Sequence, residues 1–342
     1  MSSIELSSRD AKWDNVKCLL IFCVVIGHVL YRYIDNDHNA RSIYFLIYTF
    51  HMPVFIFLSG MFSKKGIQNR QYYKILFYIM VYFVMKLLQA FAESLGSGEM
   101  SFRFFWESGP GWYALAMAVY YFLSFLIEQY LEGYDKKKLF LLSMVIGIFW
   151  GFDGHMGDHF CSARILNFYP FFVLGNCFES KQLICHMRER QNKLISVIIL
   201  SVVGWISFSK VDKVYWMLKL LKGKYPFEDM GINDWSGAAV RLAYYFATLI
   251  IGWAVMTLIP EKETFFSYVG KRTLPIFIWH TFIIILILDV FNGQEIFQRA
   301  WPLHYVPGFI MFACVIVLVC SMSLFEKSVQ CLVRICQVQT NI

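Results

Sequence analysis

The sequence predicts an all-α polytopic membrane protein of about ten transmembrane helices, with the N- and C-termini both cytoplasmic. Three observations carry this. Of the 342 residues, 58% are hydrophobic and 16% charged, and the mean hydropathy is +0.52, too apolar for the surface of a soluble chain this long. Apolar runs recur at the length, about 20 residues, that a helix needs to cross roughly 30 Å of hydrocarbon. Lysine and arginine gather on alternate connections, the bias that orients spans.

In chain order the runs fall at about 17–34, 41–62, 72–91, 112–130, 138–152, 164–179, 193–209, 236–258, 273–291 and 303–325. The first is too long for a cleavable signal and ends in "YRYIDNDH" without a small-residue cleavage site, so it reads as a permanent span. Pro53 removes a backbone hydrogen bond from the second run and predicts a kink there, a device of helices that line cavities. The third follows the basic connection "FSKKGIQNRQYYK"; the fourth opens on Trp112 and Tyr113. The fifth and sixth are short. Between them lies the polar stretch "GFDGHMGDHFCSAR". The seventh and eighth flank the long loop "SKVDKVYWMLKLLKGKYPFEDMGINDW", whose lysines are interleaved with aromatics. The ninth and tenth complete the set, with no soluble domain expected between spans or after them.

With the N-terminus inside, nineteen of the 31 Lys and Arg fall on inner segments, and the long loop is the main outer exception. The formal charge of +7 therefore reads as topology, and no nucleic-acid partner is expected. Of the nine cysteines, only Cys161 falls on an outer loop, so no intramolecular disulfide is expected. Asp153, His155, Asp158 and His159 have metal-capable side chains, but their spacing matches no metal site. No metal is predicted.

The first span poses the functional question. Eleven residues at about 100° each bring His28 within roughly 20° of the azimuth of Lys17 and about 16 Å farther along the axis. Asp14 lies one turn below Lys17, placed to orient the ammonium. An ionisable group at mid-membrane is a functional hypothesis, because lipid does not solvate it. A lone histidine would read as bonded to a neighbouring helix, but His51, eleven residues before the inner end of the second span, reaches the same depth. Arg70 and Lys74 are four apart at the inner start of the third span, on one helical face. They read either as topogenic anchors or, with Lys17, Lys64 and Lys65, as a phosphate clamp.

Asp14-x-x-Lys17 with Gly27-His28, "FHMPVFIFLSGMFSKK" (50–65) and Arg70-x-x-x-Lys74 resemble motifs of the membrane-bound acyltransferase-3 family. So do "PGWYALAMAVYY" (110–121), "SARILNFYPFFVLGNCF" (162–178) and "FSYVGKRTLPIFIWH" (266–280), closest to its fucose 4-O-acetylase-like branch. The resemblance spans nearly the whole chain. It implies ten helices in a bacterial plasma (inner) membrane and acetyl transfer from acetyl-CoA to a hydroxyl of a surface polysaccharide or lipid-linked sugar. It implies an essential role for His28 and a CoA-linked role for Lys17, Arg70 and Lys74. Lys17 and Lys74 stand where the family pattern is richer in arginine; they keep the charge but not the bidentate fork.

The expected mechanism has His28 as general base, with His51 donating to the oxyanion or fixing the His28 tautomer; a variant acylates His28 first. Arg164 and Arg241, near outer span ends, are candidates for an anionic acceptor group, Trp112 and Tyr113 for stacking on a sugar, and His280 for a cavity wall. Lys86 either snorkels or lines the path. Alternatives are an O-succinyltransferase of the same family, a glycan or lipid-linked-sugar transporter or flippase, or a non-catalytic export subunit. The transporter reading does not account for cations clustered below two histidines of equal depth. A homo-oligomer is compatible with all of these.

Overall fold

The computed structural model describes residues 10–99, 102, 106, 109–131, 133–154, 159–232, 234–300 and 305–339. It is all-helical apart from one isolated bridge, Trp106 to His159. The helices are α1 (Ala11–Leu30), α2 (His38–Tyr48), α3 (His51–Gln68), α4 (Tyr73–Ser97), α5 (Trp112–Tyr130) and α6 (Lys136–Phe149). They continue as α7 (Ser162–Cys177), α8 (Ser180–Arg188), α9 (Arg190–Ser209), α10 (Val211–Val214), α11 (Met217–Lys222) and α12 (Asp234–Leu258). The last are α13 (Phe265–Gly270), α14 (Thr273–Ile284, extended by a π-helical segment Ile285–Val290), α15 (Gly293–Ala300), α16 (Tyr305–Cys320) and α17 (Ser323–Gln339).

Among the described residues six helical stretches are long and apolar enough to cross a membrane: α1, α2 with α3, α4, α9, α12 and α14 with its π segment. A seventh is α16 with α17, if that pair, bent by 57°, counts as one span. The protein is a multi-pass membrane protein. Helices α5, α6 and α7, of 19, 14 and 16 residues, stand where the fourth, fifth and sixth spans are expected, but they are not among these stretches. The shortness of α7 has a physical reason: it is buried along nearly its whole length, so protein, not lipid, sets its length.

Two expectations need correcting. The second span is broken at Thr49–Phe50, and Pro53 falls in the first turn of α3, where a missing N–H costs little. The tenth run does not continue to 325; α16 stops at Cys320 and the chain turns into α17.

Among the described residues two large apolar cores form, beside a small cluster of Ile34, Tyr44 and Leu218. One gathers α3, α5, α7 and part of α12; the other gathers α1, α4, α14 and α16. Helices α3 and α7 touch at the backbone. A Cβ on Gly60 would fall on the Phe172 carbonyl oxygen, and one on Gly175 on that of Phe57, the small-residue contact common between membrane helices. Met52, Phe55, Tyr78 and Tyr113 pack against both cores and mark the seam between them.

Candidate active site

A cavity of about 990 Å³ opens along that seam. Its lining on α14 runs from Thr273 to Asp289, roughly 24 Å of helical rise. Helix α4 contributes Tyr78 at one end and Glu93 and Ser97 at the other. The cavity is thus elongated along the bundle, with an end near Tyr78 and Thr273 and an end near Arg32 and Asp289.

Three imidazoles come together beside it, but His280, expected in a cavity wall, is fully buried and is not among the lining residues. The His28 and His280 rings lie 5.2 Å apart between centroids, and His28 and His51 both line the cavity. Helix geometry decides what each can do. His51 Nδ1 donates to the Ile47 carbonyl at 2.8 Å, beside the break that interrupts the α2–α3 ladder. His280 Nδ1 donates to the carbonyls of Ile276 and Phe277 at 3.1 and 2.8 Å, and its Nε2 is 3.1 Å from Thr281 Oγ1. A carbonyl only accepts, so both rings carry their proton on Nδ1 when neutral. His28, among the described residues, makes no hydrogen bond through its ring. It is the imidazole of the three with both nitrogens open to a ligand.

Of the expected cations Lys17, Arg70 and Lys74, none is among the lining residues; Lys74 is linked to the cavity through an aromatic ring. Its ammonium lies 5.2 Å from the Tyr121 ring centroid, and Tyr121 stacks on the cavity-lining Tyr78 at 5.8 Å. Gly66 makes this possible, since a Cβ there would strike the Lys74 ammonium. Lys17 pairs with Asp14 at 2.6 Å, as expected, and faces the Phe62 ring at 5.6 Å. Arg70 is the correction. It precedes α4 in a left-handed turn, φ 52°, with an exposed side chain, so it and Lys74 do not share a helical face. Lys64 is engaged elsewhere, by Glu179 at 2.5 Å.

A model of the acyltransferase domain family matches residues 10–321. The chain belongs to the acyltransferase-3 family. Two curated proteins, both named nodulation protein NolL, are similar over short segments. That of Sinorhizobium fredii is 46% identical over 57 residues, 16% of each chain. That of Mesorhizobium japonicum is 39% identical over 69 residues, 19% of this chain and 18% of the relative. The matched segments therefore span under a fifth of either relative. No solved structure matches the chain.

The remaining candidate residues of this acyltransferase divide. Arg164 is buried, lines the cavity and lies 5.5 Å from the Trp112 ring centroid. Trp112 and Tyr113 line it too, with the Tyr113 hydroxyl 2.7 Å from Ser59 Oγ. Arg241 is not among the lining residues. Fully buried, it lies against the Trp150 and Phe227 rings at 4.4 and 4.8 Å and donates to the Tyr225 carbonyl at 3.0 Å, tying the long loop to the bundle. Lys86 donates to the Trp106 carbonyl at 3.0 Å. His155 and Asp158 lie outside the described residues; His159 is exposed and sits against Trp106 at 4.5 Å.

Sequence reasoning does not place the long loop in the site, yet the structure does. Its α10 and α11 bury Val211, Leu218, Leu220 and Leu221, and Phe227 follows them into the core. Gly223, at φ 69°, ends α11 and turns Lys222, Lys224 and Tyr225 into the cavity wall. The signal is present in "WMLKLLKG": paired leucines at helical spacing closed by a glycine cap. Arg32 is a second residue that the sequence does not single out. It pairs with Asp289 at the cavity mouth and donates to the His28 carbonyl at 3.0 Å. Asp289 lies in the π-helical segment.

Proposed function

We infer that the protein transfers an acetyl group from cytoplasmic acetyl-CoA to a hydroxyl of an extracytoplasmic or lipid-linked surface glycan, with His28 as general base. The observation that carries this reading is the elongated cavity lined by the open imidazole of His28, with the Lys74 ammonium behind Tyr121 and Tyr78 at one end. In this reading the chain crosses a bacterial inner membrane ten times with both termini cytoplasmic. The Lys74 end faces the cytoplasm and the Arg32 end faces out.

Acetyl-CoA docks with its phosphates against Lys74, Lys17 and Arg70, and its pantetheine arm extends past Tyr78 to His28. The acceptor enters from the Arg32 end. His28 takes the hydroxyl proton through a ring nitrogen, and the oxygen attacks the thioester carbonyl. The carbon–sulfur bond then breaks, and the CoA thiolate recovers the proton from the imidazolium. Base catalysis of this kind contributes about 10²–10⁴-fold. His51 and His280 commit their Nδ1 protons to backbone carbonyls, and the His280 Nε2 is taken by the Thr281 hydroxyl, so their role is to shape and polarise the site; oxyanion donors come from the hydroxyl and guanidinium groups around them, Tyr113 and Arg164 among these.

The test supplies labelled acetyl-CoA to the cytoplasmic face of sealed vesicles containing the purified protein, with glycan acceptor enclosed. Label on the enclosed glycan supports the reading. Passage of unmodified glycan without acetyl-CoA consumption would replace it by transport, and preferential use of succinyl-CoA would change the donor.

A further inference from the structure

The Arg32 end of the cavity has an uneven charge distribution. Its lining includes Lys222 and Lys224 from the long loop and Arg164 from α7, and also Glu93 and Glu99 from α4 and the residues after it. Arg32 is neutralised by Asp289. The Lys222 ammonium lies over two aromatic rings, 5.1 Å from the Tyr31 centroid and 5.6 Å from that of Tyr44. Burial, and then the nearby charges of Lys224 and Arg164, push its pKa down to about 8, with Asp35 the opposing influence. Lys224 and Arg164 thus lie close enough to Lys222 to disfavour its charge, a repulsion that an anion bound at Lys222 relieves.

The surroundings suit a sugar. Tyr31 is half-exposed, at 54%, and its ring is 6.0 Å from that of Tyr44, so an aromatic face is open beside the ammonium. Tyr31 also follows His28 by three residues, about 4.5 Å of helical rise. A sugar against Tyr31 therefore lies about one helical turn along α1 from the base. Glu93 and Glu99 in the same lining disfavour an anion beside them and accept from hydroxyls.

We propose that the acceptor is an anionic glycan whose phosphate or carboxylate is held by Lys222, Lys224 and Arg164, with the adjoining sugar against Tyr31 and its reacting hydroxyl at His28. This deepens the acyl-transfer reading and rests on it for the reaction. The anion site itself can be tested without turnover.

The experiment uses the full-length protein in lipid nanodiscs and three probes: methyl glucoside, glucose 1-phosphate and methyl glucuronide. Binding is measured by titration calorimetry, and acetyl transfer to each probe in parallel. The expected result is tighter binding of at least one anionic probe than of methyl glucoside, by about tenfold or more. Lys222→Ala should weaken that probe by a similar factor and Lys222→Arg restore it, with acetyl-CoA affinity unchanged as the control for folding. Whichever anionic probe binds tighter names the group, phosphate or carboxylate. Equal binding of all three probes overturns the proposal. So does a loss of acetyl-CoA affinity in Lys222→Ala that Lys222→Arg repairs, which would place Lys222 in the donor site. Anionic binding with no acetyl transfer by the wild type would sink the acyl-transfer reading and leave the anion site standing.

Discussion

Substituting Gly60 by alanine should loosen the helix pair that connects two walls of the site. The added Cβ would overlap the Phe172 carbonyl oxygen, so α3 and α7 must part by roughly 1 Å to regain van der Waals contact. A radial gap of that size forfeits about a quarter to a half of each dispersion contact across the interface, and overpacking of this kind costs about 1–3 kcal/mol. Gly175→Ala overlaps Phe57 on the same interface and should cost a similar amount. Because the first substitution already separates the helices, the double variant should lose less than the sum. Helix α3 begins at His51 and α7 carries Arg164, so kcat should fall as well. The assay is thermal unfolding of detergent-solubilised protein at one scan rate, beside acetyl transfer. An unchanged midpoint in either single variant, or strict additivity in the double, would refute the backbone contact as described.

Three other outcomes follow from the site. Lys74→Met should raise the KM for acetyl-CoA about tenfold or more, as loss of one charge-assisted contact implies, while Lys74→Arg should hold it near wild type; donor-concentration series on the three proteins check this. The Arg32–Asp289 pair is partly exposed, 20% and 37%, so its coupling in a double-mutant cycle of unfolding should be about 0.5–1 kcal/mol, and the charge swap that combines Arg32→Asp with Asp289→Arg should recover more activity than either single change. The Lys222 ammonium, facing Lys224, Arg164, Asp35 and the rings of Tyr31 and Tyr44, has its pKa lowered from 10.5 to about 8. Its charged form is disfavoured in the fold, so its effect on stability is unfavourable at neutral pH and is relieved as pH rises from about 8 to 10.5. Binding of an anionic probe needs that charge and should fall as pH passes 8, whereas Lys222→Arg should flatten the profile because guanidinium stays charged.

Much of this arrangement is legible from periodicity. The register that puts Lys17 and His28 on one face is a property of a straight α1, and α1 is straight enough for Val24 and His28 to line the cavity together. His51 emerges from counting back from a helix end. What counting does not supply is which helices adjoin: His280 touches His28 because α14 packs on α1, a neighbour relation set by the whole bundle. The expectation for Arg70 fails because the spacing of four presumes a continuous helix, and the left-handed turn before Tyr73 breaks that premise. The long loop hides its role because its lysines stand in the sequence only as an exception to the charge bias, while Leu220 and Leu221 anchor it to the bundle and direct Lys222 inward.

The claim that donor binding and proton abstraction are separate tasks, with His28 performing the second, is tested most directly by one comparison. Acetyl-CoA affinity and single-turnover acetyl transfer are measured on purified wild type and His28→Ala in the same nanodiscs. The account predicts donor affinity within about threefold of wild type and transfer reduced by about 10²–10⁴-fold. Transfer at the wild-type rate by His28→Ala would contradict it.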